Sequence, residues 1–202
     1  MAINPRFTRP GEVVIGGLVT GDTPRHAISD LSTHALTFIG YEHHEIHAGS
    51  HYYLTYPFTL AATTDSQEFF LVTPDEAAWI HMYWNMTGSA ITEIYVFEDT
   101  EKTPTTDAIE TLNNNRNSTN LPGLDVFLGA ASGGDSSTDT GTTIWHQKSG
   151  ASSNQSRASM ESRNTGEIVL KQNTPYRIRF KTSTATNLCN LKLEWYEHTN
   201  KG

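Results

Sequence analysis

The chain predicts an all-β fold, an antiparallel β-sandwich of jelly-roll type that carries an extended N-terminal arm. Three observations lead there. Roughly eight to ten short runs rich in β-branched and aromatic residues follow one another with polar turns between them. Two of these runs alternate strictly: Tyr176, Ile178 and Phe180 against Arg177, Arg179 and Lys181, and Leu191, Leu193 and Trp195 against Lys192, Glu194 and Tyr196. Helix-forming segments are nearly absent, and the remaining sequence consists of long polar loops, the combination that double-sheet jelly rolls use.

Residues 1–33 form the expected arm. Pro5, Pro10 and Pro24 punctuate it, Arg6, Arg9 and Arg25 make it locally basic, and Gly11, Gly16, Gly17 and Gly21 keep it supple. Its one apolar run, Val13-Val14-Ile15, is suited to adding to a sheet edge. The body is expected to span 34–202. Strands are expected at Leu36–Ile39, His51–Leu60, Glu68–Val72 and Ala77–Trp84, the last a central strand with Trp79, His81 and Tyr83 on one face. Ala90–Phe97 reads as its hairpin partner through the turn Asn85-Met-Thr-Gly88. Thr105–Leu112 is the one weak helical stretch, and residues 130–142 read as a low-complexity loop. Asp135 and Asp139 in that loop match no calcium-loop spacing.

Strand signals return at Thr143–His146, Glu167–Leu170, Tyr176–Lys181 and Leu191–Trp195. The Arg177-Arg179-Lys181 stripe reads as a solvated face that also discourages edge-to-edge pairing, with docking on an acidic neighbour as the alternative. Lone Cys189, inside a strand pattern, reads as a small buried hydrophobe, and one cysteine forms no disulfide within a chain.

Length and charge bound the function. With 202 residues the chain fits one domain with a real core, and a formal net charge of −8 argues against a polyanionic partner such as nucleic acid. No apolar run is long enough for a bilayer, and the N-terminus lacks a secretory pattern, so the expectation is a product of a reducing cytoplasm. Phosphate-loop, dinucleotide, nucleophile-elbow and paired-cysteine zinc motifs are missing, and no catalytic or cofactor-binding residue is nominated. Trp145 is the candidate for a sugar-stacking platform, against the plainer reading that it packs in the core.

The most distinctive stretch is Tyr41-Glu-His-His-Glu-Ile-His-Ala-Gly-Ser-His51, which holds four of the nine histidines. On a helix, His44, His47 and His51 would share a face and form an imidazole set. Gly49 and Ser50, and the Tyr- and Thr-rich run that follows, favour a strand, which divides the histidines between two faces. The zincin pattern requires Glu immediately after the first of two histidines four apart, whereas His47 is followed by Ala48. Nor does the spacing fit the metal-binding jelly-roll enzymes called cupins. The favoured reading of His43–His51 is a polar surface or subunit contact, and no metal ligand is nominated.

With these residues in view, the chain resembles the auxiliary capsid proteins of tailed bacteriophages known as decoration or cement proteins. Tyr41–Tyr53 carries the resemblance, together with Leu191–His198 and the preceding Leu170–Arg179. The resemblance implies a non-enzymatic jelly-roll protein without cofactor that binds the outside of an assembled shell, often as a trimer. Its partners would be the major capsid protein and its own copies, at the capsid surface after assembly in the host cytoplasm. Two alternatives stay open: a sugar-binding module of a tail or fibre appendage, and a metal-dependent jelly-roll enzyme.

Overall fold

The computed structural model describes residues 16–17, 25–26, 41–75, 78–100, 107–129, 141–150, 158–161 and 166–199. The chain divides into two units, Met1–Tyr41 and Glu42–Gly202. In the first, β1 (Gly16–Gly17) pairs antiparallel with β2 (Arg25–His26), Gly16 opposite His26. The rest of the expected arm 1–33, with Val13-Val14-Ile15, and the expected strand Leu36–Ile39 lie outside the described residues.

The second unit is a sandwich of two antiparallel sheets. After helix α1 (Tyr41–Ala48) come β3 (His51–Leu60), β4 (Ser66–Val72), β5 (Ala78–Gly88), β6 (Thr92–Glu98) and β7 (Leu112–Asn113). They are followed by β8 (Asp125–Leu128), β9 (Thr142–Ser149), β10 (Ala158–Glu161), β11 (Ile168–Leu170), β12 (Pro175–Thr182) and β13 (Asn187–Thr199). One sheet runs β10-β5-β13-β3-β7, with β11 also on β5; the other runs β8-β4-β12-β6-β9. From β3 to β6 the chain changes sheet at every step, and it changes again from β12 to β13, so strands adjacent in sequence face each other across the core.

Period-two alternation builds that core. Ile80, Met82, Trp84 and Met86 of β5 and Leu191, Leu193 and Trp195 of β13 point inward from one sheet. Ile94 and Val96 of β6 and Tyr176, Ile178 and Phe180 of β12 meet them from the other. Phe58 of β3 bridges the layers edge-on, its ring 5.0 Å from Phe180 and 5.4 Å from Phe69. Each fully buried large apolar side chain of this kind contributes about 1.5–3 kcal/mol. Trp145 packs against the core with its ring 5.9 Å from Trp84. Cys189 is buried, and burial pushes its thiol up to about 12, in keeping with an inert small hydrophobe.

Four expectations are corrected. First, Asn85–Gly88 is no turn. It continues β5, because buried Met86 keeps the inward alternation and Asn190 and Leu191 of β13 pair with Thr87 and Met86. Residues 89–91 then cross to the other sheet, so β5 and β6 form no hairpin. Second, the described part of the expected helix at 105–112 is not helical. Ala108 bridges to Phe127, and the Ile109 N–H donates to the Val126 carbonyl at 2.8 Å, a tertiary partner that overrides a weak local preference. Of the expected loop 130–142, residues 130–140 with Asp135 and Asp139 lie outside the described residues, and Thr142 opens β9.

The third correction concerns the basic stripe. β12 is the middle strand of its sheet, with no edge to protect, and Arg177 (0% exposed) and Arg179 are buried. Glu68 of β4 supplies a countercharge to both, and the Phe97 ring lies 4.4 Å from the Arg177 guanidinium carbon. Fourth, Tyr196 of β13, expected on a face that is wet or contacts a partner, points away from the core but is buried within the chain, stacked between neighbouring rings.

Candidate functional site

The histidine-rich segment folds as a helix, contrary to the strand expectation. Gly49 is the reason it can stop there: it takes φ +74°, and its N–H donates to the Ile46 carbonyl while Ser50 N–H donates to that of Glu45. The helix does not gather the histidines. His43 and His47, one turn apart, put their Nε2 atoms 3.0 Å from each other in the solvent-exposed part of the turn. His44 instead approaches the buried Glu45, which also accepts from the Ser50 hydroxyl. His51 opens β3 and is 1% exposed.

His51 is held by Asn114, whose amide donates to Nδ1 at 2.6 Å, leaving Nε2 3.5 Å from a Glu42 carboxylate oxygen. Burial lowers its pKa, against the opposing pull of Glu42, Glu194 and Glu45. The imagined set of His44, His47 and His51 is therefore not formed. Among the described residues no group of three or more His, Cys, Asp or Glu side chains could hold a metal ion.

A different cluster emerges on the outer face of the larger sheet. β5 and β13 run side by side with Trp79 opposite His198, His81 opposite Tyr196 and Tyr83 opposite Glu194. Glu167, just before β11, reaches over them. Its carboxylate accepts from Tyr83 at 2.5 Å, from Tyr196 at 2.7 Å and from His81 Nδ1. The His81 ring is stacked on Tyr196 with centroids 4.5 Å apart and 12° between planes, and its Nε2 lies 2.6 Å from Nε2 of His198. Burial by itself would raise the Glu167 pKa, but the hydrogen bonds from Tyr83, His81 and Tyr196 together outweigh it and hold the carboxylate below its usual range. Burial, and then Glu167, push the Tyr83 hydroxyl well above the ordinary phenol value.

Sequence reasoning placed His81 on one face of a strand with Trp79 and Tyr83, where it lies in β5, but missed this constellation. His81 and Glu167 are 86 positions apart, so no local motif links them. The available signal was the repeated polar aromatic pattern, His81 with Tyr83 and Tyr196 with His198, on the face of two strands opposite the core.

Beside the cluster, Trp79 (38% exposed), Val169, Leu170, Lys171 and Gln172 line a shallow cleft of about 410 Å³. Lys171 leans to Glu98 at 2.5 Å, and the Gln172 amide donates to the Ala78 carbonyl at 3.3 Å. The exposed Trp is thus Trp79, while Trp145, the sequence-nominated platform, is packed against the core. Among the described residues no helix is long and apolar enough to cross a membrane. Comparison with protein-family models, curated proteins and solved structures finds no match.

Proposed function

We propose that the chain is a non-enzymatic virion structural protein that binds the outer surface of a phage capsid and stabilises it. The observation that carries this reading is the division of the chain at Tyr41/Glu42 into a small N-terminal unit and a sandwich. A staple needs that organisation: one part follows neighbouring capsid subunits, the other sits at a local symmetry point and meets its own copies. Several weak contacts then act together. The strand order adds support. Taken as eight principal strands, β10-β5-β13-β3 against β4-β12-β6-β9 is the order produced by rolling up two Greek keys, and we read the sandwich as a jelly roll.

The test is sedimentation velocity of the purified full chain, followed by cosedimentation with shells of the major capsid protein encoded in the same genome. A trimer that pellets with shells to a saturating ratio is expected; a strict monomer that stays in the supernatant overturns the reading.

One observation favours a second reading, a sugar-binding module of a tail or fibre appendage. Trp79 presents an apolar ring in a cleft edged by Lys171 and Gln172, polar groups suited to hydroxyls. Glycan-array binding that disappears in Trp79→Ala would favour this reading over capsid attachment.

A further inference from the structure

The cluster around Glu167 brings two imidazole Nε2 atoms together, one of the rings oriented by a carboxylate. A carboxylate only accepts, so His81 Nδ1, bonded to Glu167, carries the ring proton, and the neutral ring's one lone pair is at Nε2. That lone pair faces His198 Nε2 at 2.6 Å. The ring cannot swing freely: it is stacked on Tyr196, and the carboxylate that orients it is itself fixed by the Tyr83 and Tyr196 hydroxyls. A histidine whose far nitrogen donates to an anchored carboxylate is the arrangement that metal-ligating imidazoles adopt.

We propose that His81 and His198 bind a divalent first-row transition ion of the zinc, nickel or copper class through their Nε2 atoms, with Glu167 as the orienting carboxylate. Without metal, the two rings share an N–H···N hydrogen bond. At metal–nitrogen distances of about 2.0–2.1 Å, two nitrogens on a tetrahedral ion stand about 3.3 Å apart, so the pair opens by roughly 0.7 Å when the ion enters and the shared proton moves from His198 Nε2 to His198 Nδ1, keeping that ring neutral. Both ligands are nitrogen, which suits these ions and disfavours calcium and magnesium. Two protein ligands leave further positions for water.

The helical pair His43–His47 is the built-in competitor. Its Nε2 atoms are 3.0 Å apart, a separation compatible with one ion, but among the described residues no carboxylate is hydrogen-bonded to either ring. The experiment is isothermal titration of the full chain with zinc and, separately, nickel and calcium, with circular dichroism confirming that each variant is folded. One zinc or nickel per chain is expected, with no heat from calcium. His198→Ala should abolish binding, Glu167→Gln should weaken it by about 10–100-fold, and the double change His43→Ala with His47→Ala should leave it intact. Cobalt binding with visible d–d absorption that vanishes in His198→Ala gives a second readout. Zinc affinity unchanged in folded His198→Ala, loss of binding in the His43/His47 double variant, or no binding by the wild type overturns the proposal.

Discussion

Arg179 of β12 and Glu68 of β4 stand directly opposite one another in the second sheet, and two guanidinium nitrogens, Nε and one terminal nitrogen, each reach the same carboxylate oxygen at 2.7 Å. Arg177 lies two residues away on the same face, 3.7 Å from that oxygen. Among the described residues, the buried Glu68 carboxylate thus faces two buried cations. Glu68→Gln keeps the shape and removes a countercharge shared by both buried cations; the expected loss is about 3 kcal/mol in urea unfolding. Replacing both partners, Glu68→Leu with Arg179→Met, should cost less than Glu68→Gln alone. An unfolding midpoint unmoved by Glu68→Gln would contradict this account of the face.

At one end of the sandwich, Gly88 of β5 is fitted against Thr92 of β6. A Cβ built on Gly88 falls 1.8 Å from Thr92 Oγ1 and 2.9 Å from its Cβ. Asn187 pins the same corner, donating to Thr92 Oγ1 at 2.8 Å and accepting from the Ala90 N–H at 3.0 Å. Gly88→Ala should therefore destabilise by about 2 kcal/mol through overpacking. In a Thr92→Ala background the added cost should be smaller, a non-additivity visible in a double-mutant cycle of thermal unfolding.

His51 makes stability depend on pH. Its folded-state pKa is lowered by burial, so the folded protein binds a proton there less readily than the unfolded chain. The unfolded imidazole titrates near about 6.5. As pH falls through that value the unfolded chain gains the proton first, and stability declines until the lower folded value is passed. Glu42, Glu45 and Glu194 oppose the shift without reversing it. Urea unfolding followed from about pH 8 to 5 should show a shallower decline for His51→Gln than for the wild type; parallel curves would remove His51 from the pH response.

Much of the fold was legible because alternation reports burial directly. Tyr176, Ile178, Phe180, Leu191, Leu193 and Trp195 all point into the core, and the β-rich runs at His51–Leu60 and Tyr176–Lys181 fall within β3 and β12. The misreadings share a physical cause, a partner distant in sequence. The fate of Arg177 and Arg179 depends on Glu68 and Phe97, and β5 runs on past Trp84 because β13 continues to pair with it. The helix was the exception: Gly49 after Ala48 is a local C-terminal stop signal, but the adjoining strand pattern dominated the reading. The outer-face cluster was hidden for the distant-partner reason, since only strand pairing brings His81 and His198 together and only the approach of Glu167 completes it.

In the proposed role, the N-terminal unit and the sandwich divide the work of attachment. The direct measurement is quantitative cosedimentation with capsid shells, comparing the full chain with a chain lacking residues 1–30, each checked for an intact β-rich circular dichroism spectrum. Saturable binding by the full chain and a severe loss in the shortened one are predicted. A folded shortened chain that decorates shells as well as the full chain would contradict the claim.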